Sequence, residues 1–109
     1  MRLRVSISGH AEADLTHQYR WYLENATVEV AERYLKSFDL TAEKLARQPG
    51  LGRARKFRSR ELAGIRSYPV AGRFSVHLIF YRASGDELRI ERVMHGARDL
   101  PRRLLEAPN

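Results

Sequence analysis

The period of hydrophobic and polar positions changes along the chain, and each change predicts an element. Leu3, Val5 and Ile7 alternate with Arg4, Ser6 and Ser8, the two-residue period of a strand with one buried face. Ser8 is then placed to cap a helix, with Glu12 and Asp14 close to its positive end, and Leu15, Tyr19, Tyr22 and Leu23 recur at helical spacing. Asn25 reads as a left-handed stop and Thr27 as the next cap. Ala31, Tyr34, Leu35, Phe38, Ala42 and Leu45 follow as the clearest periodic series in the chain. Two amphipathic helices joined by so short a link must run antiparallel and share an apolar seam, and Pro49 and Gly50 end the second.

Residues 49–64 show no apolar period and read as a long loop, a feature that in small domains is usually functional or mobile. From Gly64 the period returns to two. Ile65 to Val70 predicts a strand and Ala71-Gly72-Arg73 a tight turn. Phe74, Val76, Leu78 and Phe80 then share one face of a central strand, with Ser75, His77, Ile79 and Tyr81 on the other. Ser84-Gly85-Asp86 is a hairpin turn, and Leu88, Ile90 and Met94 line one face of a last strand interrupted by Arg92. Beyond His95-Gly96 a short tail follows, helical past Pro101, which suits a first-turn position. The order is β-α-α-β-β-β, an α+β fold with a helical hairpin packed on a mostly antiparallel sheet.

Length and composition narrow the class. At 109 residues the chain is one domain, spanning 1–109, and 43% hydrophobic residues supply a core without disulfides, since there is no Cys. Thiolate zinc sites and cysteine nucleophiles are thereby excluded. The longest uncharged apolar stretch, Phe74 to Tyr81, falls short of a membrane span, and no signal-peptide core is visible. A cytoplasmic protein with no membrane partner is expected.

Charge is unevenly placed. Residues 1–48 hold 7 basic and 7 acidic side chains, residues 49–109 hold 13 and 6, so all of the net +7 comes from the second part. Arg53, Arg55, Lys56, Arg58, Arg60 and Arg66 are interrupted only by Glu61, a run that steers polyanions or an acidic partner, or equally forms a solvated loop. The preference for Arg, 17 against 3 Lys, favours bidentate grip on carboxylate or phosphate.

No Walker loop, GxGxxG, HExxH or GxSxG is present, and none of His10, His17, His77 and His95 has the helical i, i+4 spacing of a zinc pair. No metal and no cofactor are expected. The last two strands and the residues after them gather His77, Tyr81, Arg82, Glu91, Arg92, His95, Arg98 and Asp99. A metal-free RNase needs a base for the 2′-OH, an acid for the leaving oxygen and cations around the phosphorane, and Arg82, Glu91, Arg92 and His95 have those groups. The same residues can instead pair across strands and fix the end of the sheet.

Ala11-x-x-Asp14-Leu15, Leu45-Ala46-x-x-Pro49-x-x-Gly52-Arg53, Ile65-Arg66, Ile79-Phe80-Tyr81-Arg82 and Arg92-Val93-Met94-His95-Gly96-Ala97-Arg98-Asp99, taken in order, resemble toxins of the RelE/ParE superfamily, the toxic halves of bacterial type II toxin-antitoxin modules. The His-Gly-x-Arg-Asp ending and the long hairpin look more like the ParE branch. That resemblance implies inhibition of DNA gyrase with no catalytic residues of the toxin's own. The ribosome-dependent mRNA endonuclease branch is the alternative, with Arg82, Glu91, Arg92 and His95 catalytic. Against it, the tail from Pro101 to Asn109 has neither the Tyr nor the His which that branch commonly carries there.

The resemblance further implies a small acidic antitoxin that folds onto the toxin to form a hetero-oligomer. The expected contact residues are Arg53, Arg55, Lys56 and Arg58 in the basic loop, Tyr19, Tyr22, Tyr34 and Phe38 in the hairpin groove, and Arg82, Arg92 and Arg98 at the strand ends. The helix aromatics can instead be ordinary core, the commoner fate of such stripes.

Overall fold

The structure, a computed structural model, describes residues 1–96 and 100–108, with Leu100 and Pro101 as backbone only. Strand β1 (Arg4–Ile7) leads into helices α1 (Gly9–Asn25) and α2 (Val28–Arg47), followed by strands β2 (Arg53–Ala54), β3 (Arg66–Pro69), β4 (His77–Ser84) and β5 (Glu87–His95) and helix α3 (Leu100–Leu105). The sheet order is β1-β5-β4-β3-β2; β1 runs parallel to β5 and the other pairs are antiparallel. The α+β hairpin-on-sheet reading therefore holds, with the two-residue β2 added inside the segment read as loop.

The hairpin forms where the capping chemistry places it. Ser8 Oγ accepts from the Ala11 N–H, and Thr27 Oγ1 accepts from Val30, each satisfying an orphan donor of a first turn. Asn25 is not a left-handed stop. It stays in α1 and its side-chain amide donates to the Trp21 carbonyl, while Ala26 ends the helix with its N–H donating to the Tyr22 carbonyl. From α2, Tyr34, Phe38, Ala42 and Leu45 are buried against Ile79, Tyr81, Leu88, Ile90 and Val93 of the sheet, so the predicted α2 stripe is the core seam. Helix α1 is looser. Only Ala11 and Asp14 are buried in it, Tyr22 packs at the edge of the core, and Leu23 is exposed.

The other sheet face carries a second apolar layer. Leu62 from the predicted loop, Ile65 from the start of the predicted strand, and Leu104 from α3 cover Phe80 and Met94, with Phe57 and Leu78 at the margin. The segment 49–64 is thus folded onto the sheet through two short 3-10 turns, Pro49–Leu51 and Arg60–Leu62. Its hydrophobic anchors are too sparse to show a period.

Two predicted patterns are corrected. Gly72–Phe74 is a 3-10 turn, so Phe74 joins the core beneath the helices and Val76 is exposed; the strand alternation begins only at His77. In β5 the pairing steps from Phe80↔Arg92 to Tyr81↔Ile90, leaving Glu91 as the extra residue of a bulge. The bulge inverts the phase of the strand. Val93 therefore follows Leu88 and Ile90 into the helix-side core, and Met94 points to the opposite layer.

Tyr81 ties the start of the basic arm to the core. Its hydroxyl donates to the Pro49 carbonyl at 2.7 Å and accepts from the Gly52 N–H at 2.8 Å. A Cβ on Gly52 would collide with the Tyr81 ring, so this close approach requires glycine. Tyr81→Phe leaves a buried donor and acceptor unpaired and is expected to cost about 1–2 kcal/mol in urea denaturation, with the ring packing retained.

Candidate functional site

The basic arm runs from β2 along the far edge of the sheet. Arg53, Lys56, Arg58 and Arg60 are exposed, whereas Arg55 is half-buried, donating to Ser67 Oγ at 2.8 Å with its guanidinium 5.8 Å from the Phe80 ring centroid. Burial, then the neighbouring Arg53, pull the Arg55 pKa below its ordinary value. Arg66 reaches back to the Gly52 carbonyl at 2.7 Å. The run therefore divides into inward members that pin the arm and outward members that project charge. Among the described residues β2 pairs only with β3, so its outer edge is open.

Arg82 and Glu91 lie on the sheet face beneath this arm and form an ion pair at 2.7 Å. Arg82 also donates to the Ala63 and Glu61 carbonyls, and Arg89 approaches Glu91 at 3.3 Å. Arg82 thus fastens the end of the arm to the sheet, with Glu91 as its counter-charge.

Arg92 is differently placed. It is 5% exposed, and its guanidinium is clasped by Asp14 through Nε at 2.8 Å and Nη2 at 3.0 Å. Its Nη1 donates to the carbonyls of Arg103, 3.0 Å, and Glu106, 2.6 Å, and Asp14 Oδ2 also accepts from the Val93 N–H at 2.9 Å. Four of the five guanidinium N–H groups are thereby engaged. One ion pair joins the start of α1, the bulged strand and the end of α3.

His95 is on the helix side of the sheet, opposite His77 in the β4–β5 register, with ring centroids 5.6 Å apart. Its own side chain is exposed. His77 is buried against Tyr34 and Tyr22, and its Nε2 lies 2.9 Å from the Tyr22 hydroxyl. Burial, then His95, push its pKa down to about 4. Burial likewise raises the Tyr34 hydroxyl above its usual range; that hydroxyl donates to Gln18 Oε1, and Gln18 donates on to the Val93 carbonyl.

Of the groups required for an RNase reading, Arg82, Glu91 and Arg92 line one cavity and Arg92 and His95 line another, so neither cavity holds all four. Arg82 and Glu91 pair with each other, and the Arg92 guanidinium is engaged by Asp14 and the Arg103 and Glu106 carbonyls. Of the expected contact residues, Tyr34 and Phe38 are buried in the chain's own core, and Arg92 is similarly enclosed, so none of the three has a surface to offer. Tyr19 and Tyr22 are half-buried, Arg53, Lys56 and Arg58 are exposed, and Arg98 and Asp99 lie outside the described residues. Sequence reasoning missed Trp21, which falls off the α1 stripe and is 58% exposed, and it missed the pairing of Asp14 with Arg92 across 78 positions. Among the described residues no three His, Asp or Glu side chains stand together as metal ligands, and no helix is long and apolar enough to cross a membrane.

Comparison with known proteins agrees with this arrangement. The solved "Chromosomal ParDE TA system from P. aeruginosa" is similar to this chain at a TM-score of 0.71 and 20% identity, covering 88% of this chain and 98% of that one. The YoeB dimer of Staphylococcus aureus is similar at a TM-score of 0.55 and 18% identity, over 89% of this chain and 100% of that one. The YoeB-YefM complex from the same organism gives 0.52 at 18% identity, with the same coverage. At these identities the likeness establishes the fold. No curated protein matches the chain. The model of the family described as "ParE toxin of type II toxin-antitoxin system, parDE" matches residues 5–100, nearly the whole chain, and the chain accordingly belongs to the ParE toxin family.

Proposed function

We propose that the chain is the toxin of a two-protein module, that it inhibits DNA gyrase in the cytoplasm by binding rather than by covalent chemistry, and that a cognate acidic antitoxin neutralises it by direct contact. Family membership supports the toxin role. The observation that carries the gyrase reading over mRNA cleavage is the enclosure of Arg92. A guanidinium with four N–H groups already bound to Asp14 and two carbonyls has little left for a transition-state phosphate, and Arg82 is similarly engaged. The exposed side chains Arg53, Lys56, Arg58 and Arg60, beside the open edge of β2, suit an acidic segment that adds a strand and pairs its carboxylates with the arm.

Purified protein in a gyrase supercoiling and DNA-cleavage assay, run beside ribosome-programmed mRNA, tests this reading. Supercoiling is expected to stop, with trapped cleaved DNA and intact mRNA, and the antitoxin is expected to reverse it. Cuts in mRNA at codon positions, abolished by His95→Ala, would overturn it.

A further inference from the structure

A groove of about 710 Å³ opens between α1 and the start of β4, away from the basic arm. Trp21, Tyr22, Phe74 and Val76 form its apolar walls, and His17, Gln18, His77, His95 and Arg73 add polar side chains. Trp21 and Val76 are 58% and 51% exposed, an unusual state for a tryptophan beside a cavity, while His77 closes the buried end. The rings are held in place: Trp21 meets Tyr22 edge-to-face at 5.3 Å, Tyr22 meets Phe74 at 5.5 Å, and the Tyr22 hydroxyl is tied to His77. Arg73 lies with its guanidinium 5.8 Å from the Phe74 ring centroid, and among the described residues no carboxylate lines the groove. At the closed end His77 Nδ1 has no hydrogen-bond partner.

We propose that this groove binds single-stranded nucleic acid, taking an unpaired base against Trp21 with the adjoining phosphate at Arg73. The exposed indole, set edge-on to Tyr22, offers a π-face on which any base stacks, and the Arg73 guanidinium on the rim suits a phosphate. The cavity lies within the size range of small-ligand sites, ample for one nucleotide. A duplex would not enter, because its bases are already stacked. An acidic peptide would have no use for the flat indole. The inference stands apart from the gyrase reading, since a toxin can bind gyrase with or without touching nucleic acid.

Trp21 is the chain's single tryptophan, so its fluorescence reports occupancy of the groove directly. A mixed-sequence single-stranded DNA oligonucleotide is expected to quench it saturably, and the duplex formed with the complement to bind several-fold more weakly. By anisotropy of a labelled oligonucleotide, Trp21→Ala should weaken single-strand binding roughly ten-fold. Arg73→Ala should reduce the slope of log affinity against log salt by about 0.7. Both side chains are exposed, so circular dichroism should show each variant folded. Equal binding of the duplex, indifference to Trp21→Ala, or quenching by polyglutamate in place of DNA would each overturn the proposal.

Discussion

Asp14→Ala is expected to destabilise the protein by about 3–5 kcal/mol in urea denaturation at neutral pH, more than any surface substitution. The cost comes from what remains after the carboxylate is gone. Arg92 stays buried with its Nε and Nη2 unpaired, and the Val93 N–H loses its acceptor beside the β5 bulge. Asp14→Asn, which keeps one acceptor oxygen at the same place, should cost less. Converting the pair together, Asp14→Leu with Arg92→Met, should recover much of the loss, because a buried ion pair and a well-packed apolar pair are often close in free energy. The double variant should still differ in one respect. The Arg103 and Glu106 carbonyls lose their donor, so amide exchange in the C-terminal segment should quicken while the sheet is protected as before. A cost below about 1 kcal/mol for Asp14→Ala would mean that water reaches the guanidinium and that the clasp does not organise the fold.

This pair also shows where sequence reading stops. Asp14 sits in the first turns of α1, where a helix dipole favours any carboxylate, and nothing local distinguishes a solvated acid from one committed to an arginine 78 positions away. The elements whose signal is local were legible: the Ser8 and Thr27 caps, the α2 stripe, and the Ser84-Gly85-Asp86 turn, where Gly85 takes φ 58° in the two-residue β4–β5 loop. Elements set by tertiary contact were not. Leu62 and Phe57 belong to no period, yet both pack with Phe80 because the arm folds back over it. The bulge at Glu91 is equally invisible, and a single extra residue reversed the facing of Met94.

The candidate site was legible to the same degree. The run of arginines predicted a charged arm, and Arg53, Lys56 and Arg58 are exposed on it, but composition could not tell these from Arg55 and Arg66, which turn inward to Ser67 and Gly52. Periodicity placed Tyr22, Tyr34 and Phe38 on one seam without saying how deep each lies. Helix α2 buries Tyr34 and Phe38 in the core, whereas α1 keeps Trp21 and part of Tyr22 at the rim.

That packing depth also makes the fold sensitive to acid through His77. Its imidazole is buried among Tyr22, Tyr34 and His95, and burial first, then the His95 ring, lower its pKa from the ordinary 6.5 to about 4. The unfolded chain takes up a proton on this ring as pH falls through about 6.5, while the folded protein resists until about 4. Proton binding therefore favours the unfolded state across that window. Stability is fully present above about pH 6.5, declines as pH falls, and levels off with respect to this group below about pH 4. Between pH 7.5 and 4.5 the expected loss is about 2–3 kcal/mol. Carboxylates titrate near the lower limit, so the measurement is a difference: urea denaturation of the wild type and of His77→Phe at both pH values. The variant lacks the titrating ring and the bond to the Tyr22 hydroxyl, so it should be weaker at pH 7.5 yet lose about 2 kcal/mol less on acidification. Parallel losses in the two proteins would show that the His77 ring accepts its proton in the folded state, and that the floor beneath Trp21 is wetter than its 5% exposure indicates.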